Sequence, residues 1–215
     1  YSSRRLILAT GLRDNIPPQE GFQRHYGRGV YTCPYCDGWE NRDQPLAVYG
    51  KGERGYGFAL ELSIWSKKLT LCTDGWNDYP LSWRNELSRH GIELRQEAIL
   101  AVRGDGERLK SIDFIDGSSL ECQAMFLATG QEQRCELGRQ LGAKVNSKGI
   151  LQSSAYGQTT VAGLYAVGDS DGKLQMAIAA AADGARAAYQ VNQSLFHEDM
   201  SQALEVATRV RRTRC

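Results

Sequence analysis

The sequence predicts an α/β fold with one domain set inside another, on three observations. Leu6-Ile7-Leu8-Ala9-Thr10-Gly11 and Met125-Phe126-Leu127-Ala128-Thr129-Gly130 repeat one pattern, a short apolar strand ending in Ala-Thr-Gly. Between them lies a strand, glycine turn, helix, strand unit at residues 45–72, the order a dinucleotide fold requires. After the second Ala-Thr-Gly come another apolar strand, Gly163 to Val167, and a long alanine-rich helix, as if the first domain resumed.

Taken in order, Leu6 to Ala9 reads as a buried strand and Asp14 to Gly29 as a connector containing Pro, Gly and Arg. Pro45 to Tyr49 is a strand, Gly50-Lys51-Gly52-Glu53-Arg54-Gly55 the turn, Tyr56 to Trp65 a helix with apolar residues at helical spacing, and Leu69 to Cys72 the next strand. A helix at Leu81 to His90 stops at Gly91, and Ile92 to Leu94 follows as a strand. Ala98 to Val102, Leu109 to Ile115 and Ser119 to Cys122 read as an antiparallel meander turning at Asp116-Gly117-Ser118. The last helix runs from about Leu174 to Gln193, and the arginine-rich end from Glu205 to Cys215 is expected to be solvated and frayed.

With 215 residues the chain holds one large domain or two small ones. A formal charge of +1 shows no bias toward nucleic acid, membrane surfaces or acidic partners. No apolar run approaches the roughly 20 residues that span a bilayer, and no charged-then-apolar leader opens the chain, so a soluble cytoplasmic protein is the default. Of six cysteines, Cys72, Cys122, Cys135 and Cys215 are scattered, unlike a secreted disulfide framework. The chain starts at Tyr1 and enters a strand within a few residues, which points to a larger protein that has been cut.

Cys33-Pro34-Tyr35-Cys36-Asp37-Gly38 is the stretch with chemistry in it. Two thiols at that spacing close a small ring, and the adjacent acid can move the proton that dithiol chemistry requires. By itself the pair fits a redox centre, half a zinc site or a structural clip; no second CxxC exists, and His25, His90 and His197 lie far apart. Arg28 and Arg42 are candidates for a positive field that lowers the pKa of Cys33. In the glycine turn, Gly50, Gly52 and Gly55 permit close approach of a pyrophosphate to a helix N-terminus, while Glu53 opposes it and Arg54 compensates. Asp74, just after the second strand, is placed to read a ribose 2′-hydroxyl, favouring NADH over NADPH; the alternative is a glycine turn kept only for packing. Asp169, at a strand end beside a helix start, is either a ligand to ribitol hydroxyls or a simple cap.

Together, Ala9-Thr10-Gly11, the CxxC-Asp, Gly50-x-Gly52-x-x-Gly55, Ala128-Thr129-Gly130 and Gly168-Asp169 with Gln175 resemble the low-molecular-weight thioredoxin reductase family along nearly the whole chain. The resemblance implies FAD as cofactor and an inserted pyridine-nucleotide domain carrying the redox disulfide. It divides the chain into residues 1–15 and 129–200 as the FAD-binding domain, 16–128 as the inserted domain and 201–215 as a tail. It matches Cys33 and Cys36 to the redox pair, with Cys36 toward the flavin and Cys33 toward the substrate, and Asp37 to the proton carrier. Thr10, Gly11, Gly168, Asp169, Gln175 and Met176 match flavin contacts. A thioredoxin-like protein or a small dithiol or disulfide is the implied substrate, and a homodimer the implied assembly.

Two departures stand out. The family's FAD fingerprint lies upstream of Ala9-Thr10-Gly11 and has no counterpart here, so the FAD-binding domain is expected to be incomplete and the flavin affinity of this chain alone weak or absent. Where NADPH-dependent members carry His-Arg-Arg, this chain has Thr73-Asp74-Gly75, which lacks the guanidinium clamp for a 2′-phosphate. That loss, with Pro34-Tyr35 between the cysteines, fits a dithiol oxidase branch that passes electrons to oxygen. A non-enzymatic redox sensor is a third reading, disfavoured by Asp37 and Gly168-Asp169.

Overall fold

The structure, a computed structural model, describes residues 2–106 and 108–212, with side chains through residue 205. It divides into two compact units, Asp14–Gly130 and the combination of Tyr1–Arg13 with Gln131–Cys215.

The unit Asp14–Gly130 is built on a five-stranded parallel sheet in the order Val30–Tyr31, Ala124–Leu127, Leu46–Tyr49, Leu69–Cys72, Ile92–Arg95. Three of these strands are buried at every position, which parallel strands require because both faces are covered. Alternation then assigns side chains to two cores. Leu46, Val48, Leu69, Leu71 and Phe126 pack with Ala59, Leu62 and Leu87 from the helices Gly52–Leu62 and Leu81–Arg89. Ala47, Tyr49, Cys72, Met125 and Leu127 pack with Ile99, Val102, Ile112 and Phe114 from the antiparallel meander Ile99–Gly104, Leu109–Phe114, Ser119–Glu121. Each fully buried Leu, Val or Phe here contributes about 1.5–3 kcal/mol.

The helix Gly52–Leu62 begins inside the glycine turn, four residues ahead of the expected Tyr56, because Gly52 at φ 59° starts the helix directly from the strand. The expected connector Asp14 to Gly29 holds one helical turn, Phe22–His25, whose Phe22 is fully buried.

In the other unit, Leu6–Leu8 and Leu164–Ala166 pair in parallel over a small core of Leu8, Ala143, Leu151, Leu164 and Ala166. Leu12–Asp14 pairs with Gln131–Gln133 where the chain leaves and re-enters this unit. The final helix spans Ala177–Arg212, which corrects the expected frayed end. Strong helix formers such as Ala203, Leu204 and Glu205 continue it, and Arg4 with Asp199 and Arg5 with Glu198 tie its middle to the first strand. Cys215 and Arg214 lie outside the described residues.

Candidate functional site

Cys33 and Cys36 form a disulfide with Cα atoms 5.3 Å apart. The intervening chain makes this possible: Cys33 caps the single-turn helix Pro34–Asp37, and Pro34 occupies its first position, where its fixed φ suits a helix start and its missing N–H costs nothing. The Cys36 amide donates to the Cys33 Sγ at 3.2 Å, and the Cys36 and Asp37 amides reach the Cys33 carbonyl, each at 3.2 Å. A thiolate at Cys33 would therefore face a backbone donor, which lowers a thiol pKa. Gly38 closes the turn, and a Cβ there would come within 2.9 Å of the Trp65 ring. Cys36 is exposed and Cys33 half-buried.

Burial, and secondarily the Glu40 carboxylate, raises Asp37 above the ordinary carboxylate pKa, so it holds a proton to higher pH than a free aspartate. Arg42 packs against Trp39. Its guanidinium lies 3.9 Å over the Trp39 ring and donates to the Trp39 carbonyl at 2.7 Å. The charge that bears on Asp37 is the negative Glu40. Tyr35 and Trp39 are both exposed, and Tyr35 meets Trp65 edge-on.

The glycine turn is tight: a Cβ on Gly50 would come within 2.6 Å of Gly55 Cα and 2.9 Å of Ala128 Cβ. Arg54 lies across Gly130. Tyr79, buried, places its hydroxyl 3.3 Å from the Gly52 carbonyl, and Trp76 meets Tyr79 edge-on. Asp74 sits in the left-handed region at φ 50°, and its carboxylate accepts from four donors. One oxygen accepts from the Ile99 amide at 2.9 Å; the other accepts from Tyr49 Oη at 2.8 Å, Gln19 Nε2 at 3.0 Å and Lys51 Nζ at 3.3 Å. Burial raises its pKa, but these donors outweigh it and the net shift is downward. Sequence reasoning missed Gln19 and Tyr49, which reach Asp74 from 55 and 25 residues away with no local pattern to mark them.

In the other unit the turn Gly168–Asp171 follows the strand Leu164–Ala166. A cavity of about 470 Å³ there is lined by Ala9, Gly11, Val167, Gly168, Asp169, Gln175 and Met176, among others. Asp169 and Met176 are exposed, and so is Thr10. Gln175 exchanges two hydrogen bonds with Gln131, at 2.6 and 2.9 Å. The Gly11 amide donates to Ser170 Oγ at 2.8 Å.

Burial pushes the Cys72 thiol far up and Cys122 to about 12, so both stay protonated within the core. Among the described residues no cluster of His, Cys, Asp and Glu is placed to hold a metal ion, and no helix is long and apolar enough to cross a membrane.

The profile of the pyridine nucleotide-disulphide oxidoreductase family matches residues 1–184. The chain belongs to this family. Within it the similar proteins include several thioredoxin reductases. A probable thioredoxin reductase of Arthroderma benhamiae is 28% identical over 205 residues, covering 80% of this chain and 49% of that protein. The thioredoxin reductase of Mycolicibacterium smegmatis is 28% identical over 210 residues, covering 93% and 67%. Among solved structures, HlmI superposes with a TM-score of 0.90 at 29% identity, covering 97% of this chain and 65% of that one. A putative thioredoxin reductase TrxB from Bacillus anthracis gives 0.83 at 30%, covering 91% and 66%. The chain thus spans about half to two thirds of the length of these relatives.

Members of the pyridine nucleotide-disulphide oxidoreductase family imply FAD and a nicotinamide nucleotide, and the residues answer differently for the two. For FAD they fit: the cavity beside Gly168 presents Asp169 without a side-chain partner among the described residues, and at Gly168, with φ 59°, a Cβ would be strained and would come 3.2 Å from Ala180 Cβ. For the nucleotide the turn keeps the close glycine packing, but the ribose end does not fit. Asp74 already accepts from four donors, the Lys51 ammonium among them, and Thr73 and Gly75 beside it add no guanidinium.

Proposed function

We propose that this protein is a flavin-dependent thiol/disulfide oxidoreductase of the thioredoxin reductase type, with Cys33 and Cys36 carrying electrons between FAD and a sulfur substrate. The observation that supports it most is the Cys33–Cys36 disulfide on the Pro34–Asp37 turn, with Asp37 adjoining. In this reading Tyr1–Arg13 with Gln131 onward is the FAD-binding part, through Thr10, Gly11, Gly168, Asp169, Gln175 and Met176. Asp14–Gly130 is the nucleotide-type domain that bears the dithiol. FAD, when bound, supplies a two-electron carrier.

In the reducing direction the Cys33 thiolate, stabilised by the Cys36 amide, attacks one sulfur of the substrate disulfide. A Cys33–substrate bond forms as the substrate S–S bond breaks, and Asp37 gives its proton to the departing sulfur. The Cys36 thiolate then attacks Cys33 Sγ, closing the ring and releasing the second substrate thiol. A thioredoxin-like protein or a small disulfide is the substrate, and the protein works as a cytoplasmic homodimer.

One observation favours a second direction. With Asp74 committed internally, nucleotide does not supply the electrons; a small dithiol reduces the Cys33–Cys36 disulfide, and dioxygen takes the electron pair as hydrogen peroxide. Anaerobic mixing of the FAD-loaded protein with NADH, NADPH or a dithiol tests both. Bleaching of the flavin by the dithiol alone supports the oxidase, and bleaching by either nucleotide at micromolar concentration supports the reductase. Bleaching by none of them rejects a flavin-coupled disulfide.

A further inference from the structure

The turn Gly168–Asp171 is held from beneath by two separate sets of contacts, while Asp169 is left open. Ser170 is fully buried: its hydroxyl accepts from the Gly11 amide at 2.8 Å, and its carbonyl accepts from Gln133 Nε2 at 2.6 Å. Gln133 is itself buried, and its Oε1 has no hydrogen-bond partner among the described residues. The Asp171 side chain is 2% exposed. Its Oδ2 accepts from the Ser153 hydroxyl at 2.8 Å and from Lys173 Nζ at 2.6 Å, and its Oδ1 accepts from the Lys173 amide at 3.1 Å. Lys173 Nζ donates further to Ser153 Oγ and to the Ser154 carbonyl, each at 3.0 Å. Gly172 seals the far side at φ 67°, where a Cβ would come within 2.8 Å of Ile150.

A buried carboxylate beside a single ammonium is costly once that partner is removed, so these contacts confine the turn to one conformation. The consequence falls on the residue between them and the cavity. Asp169 lines the cavity next to Gly11 and Gly168, and its backbone is fixed by Ser170 on one side while its exposed side chain has no hydrogen-bond partner among the described residues.

We propose that Lys173, Asp171 and Ser153 form a clamp that positions Asp169 for the ribityl hydroxyls of FAD, acting through the turn and not by contact with the cofactor. This rests on the reading that the cavity takes FAD. Outer contacts that orient a binding group change ligand affinity by about 10–100-fold. Lys173→Met is therefore expected to raise the FAD dissociation constant at least about tenfold, with Ser153→Ala giving a smaller change in the same direction. At saturating FAD the visible circular dichroism of the bound flavin should also change, because the carboxylate meets the ribityl chain at another angle. Lys173→Arg, which keeps a donor for Asp171, should restore both.

The test is FAD titration of the full-length protein and these variants in it by flavin fluorescence, with visible circular dichroism at saturation. Wild-type protein that takes up no FAD defeats the reading of the cavity itself. Wild-type protein that binds FAD while Lys173→Met and Ser153→Ala match it in affinity and dichroism defeats the clamp and leaves that reading standing. If Lys173→Met fails to fold, Ser153→Ala decides by the same two readouts.

Discussion

Asp37 and Asp74 show one residue type under opposite conditions. Asp37 is desolvated beside another carboxylate and its pKa rises, so its proton is retained further up the pH scale and is available to a departing thiolate. Asp37→Asn should slow the proton-coupled step by about 10²–10⁴-fold and remove the matching limb of the pH–rate profile, leaving the flavin spectrum unchanged. Unchanged turnover would show that Asp37 does not carry the proton. Asp74 is held below the ordinary value by Ile99, Tyr49 and Lys51. A carboxylate depressed in the folded state contributes stability that is present above the unfolded value of 3.8 and is lost as pH falls through the folded value. Asp74→Ala should cost about 1.5–3 kcal/mol in urea denaturation at neutral pH, from losing hydrogen bonds to a charged group. His25 is buried, its Nδ1 has no hydrogen-bond partner among the described residues, and burial, then the Arg24 charge, lowers its pKa. Below 6.5 the unfolded chain takes up that proton more readily than the folded one, so stability falls as pH drops; in His25→Phe the melting temperature should lose this dependence between neutral pH and the folded value.

At the scale of elements, the strand, turn, helix and strand from Leu46 to Cys72 were legible because glycine spacing and uniform apolar runs are local signals. The antiparallel meander was legible for the same reason, through its alternation and its turn residues. The start of the turn's helix and the length of the last one were not. The first depends on a positive φ at Gly52, and the second on Arg4 and Arg5, which meet the helix from more than 190 residues away. The same division holds in the candidate site: the CxxC could be read from its spacing, whereas Gln19 on Asp74 and Lys173 on Asp171 take their meaning from the fold. The glycine turn gives a direct check of its packing. Gly50→Ala forces a Cβ against Gly55 and Ala128 and should destabilise the protein by about 1–3 kcal/mol, seen as a lowered urea midpoint with an unchanged slope.

At the scale of the molecule, each compact unit holds one part of the proposed chemistry. Asp14–Gly130 carries the Cys33–Cys36 disulfide on a fully buried parallel sheet, and the other unit carries the Gly168–Asp169 turn and its cavity. The Ala-Thr-Gly repeats that framed this division in the sequence end strands in different units. In the proposed function FAD and the Cys33–Cys36 disulfide belong to one electron path, which joins the two parts. The scattered Cys72 and Cys122 stay off that path, buried and protonated. Reductive titration of the FAD-loaded protein under anaerobic conditions, counting electron pairs taken up per chain, tests that path most directly. Two pairs in the wild type, for flavin and disulfide, and one pair in the Cys33→Ser, Cys36→Ser variant are the predicted result. A single pair in both proteins would contradict it.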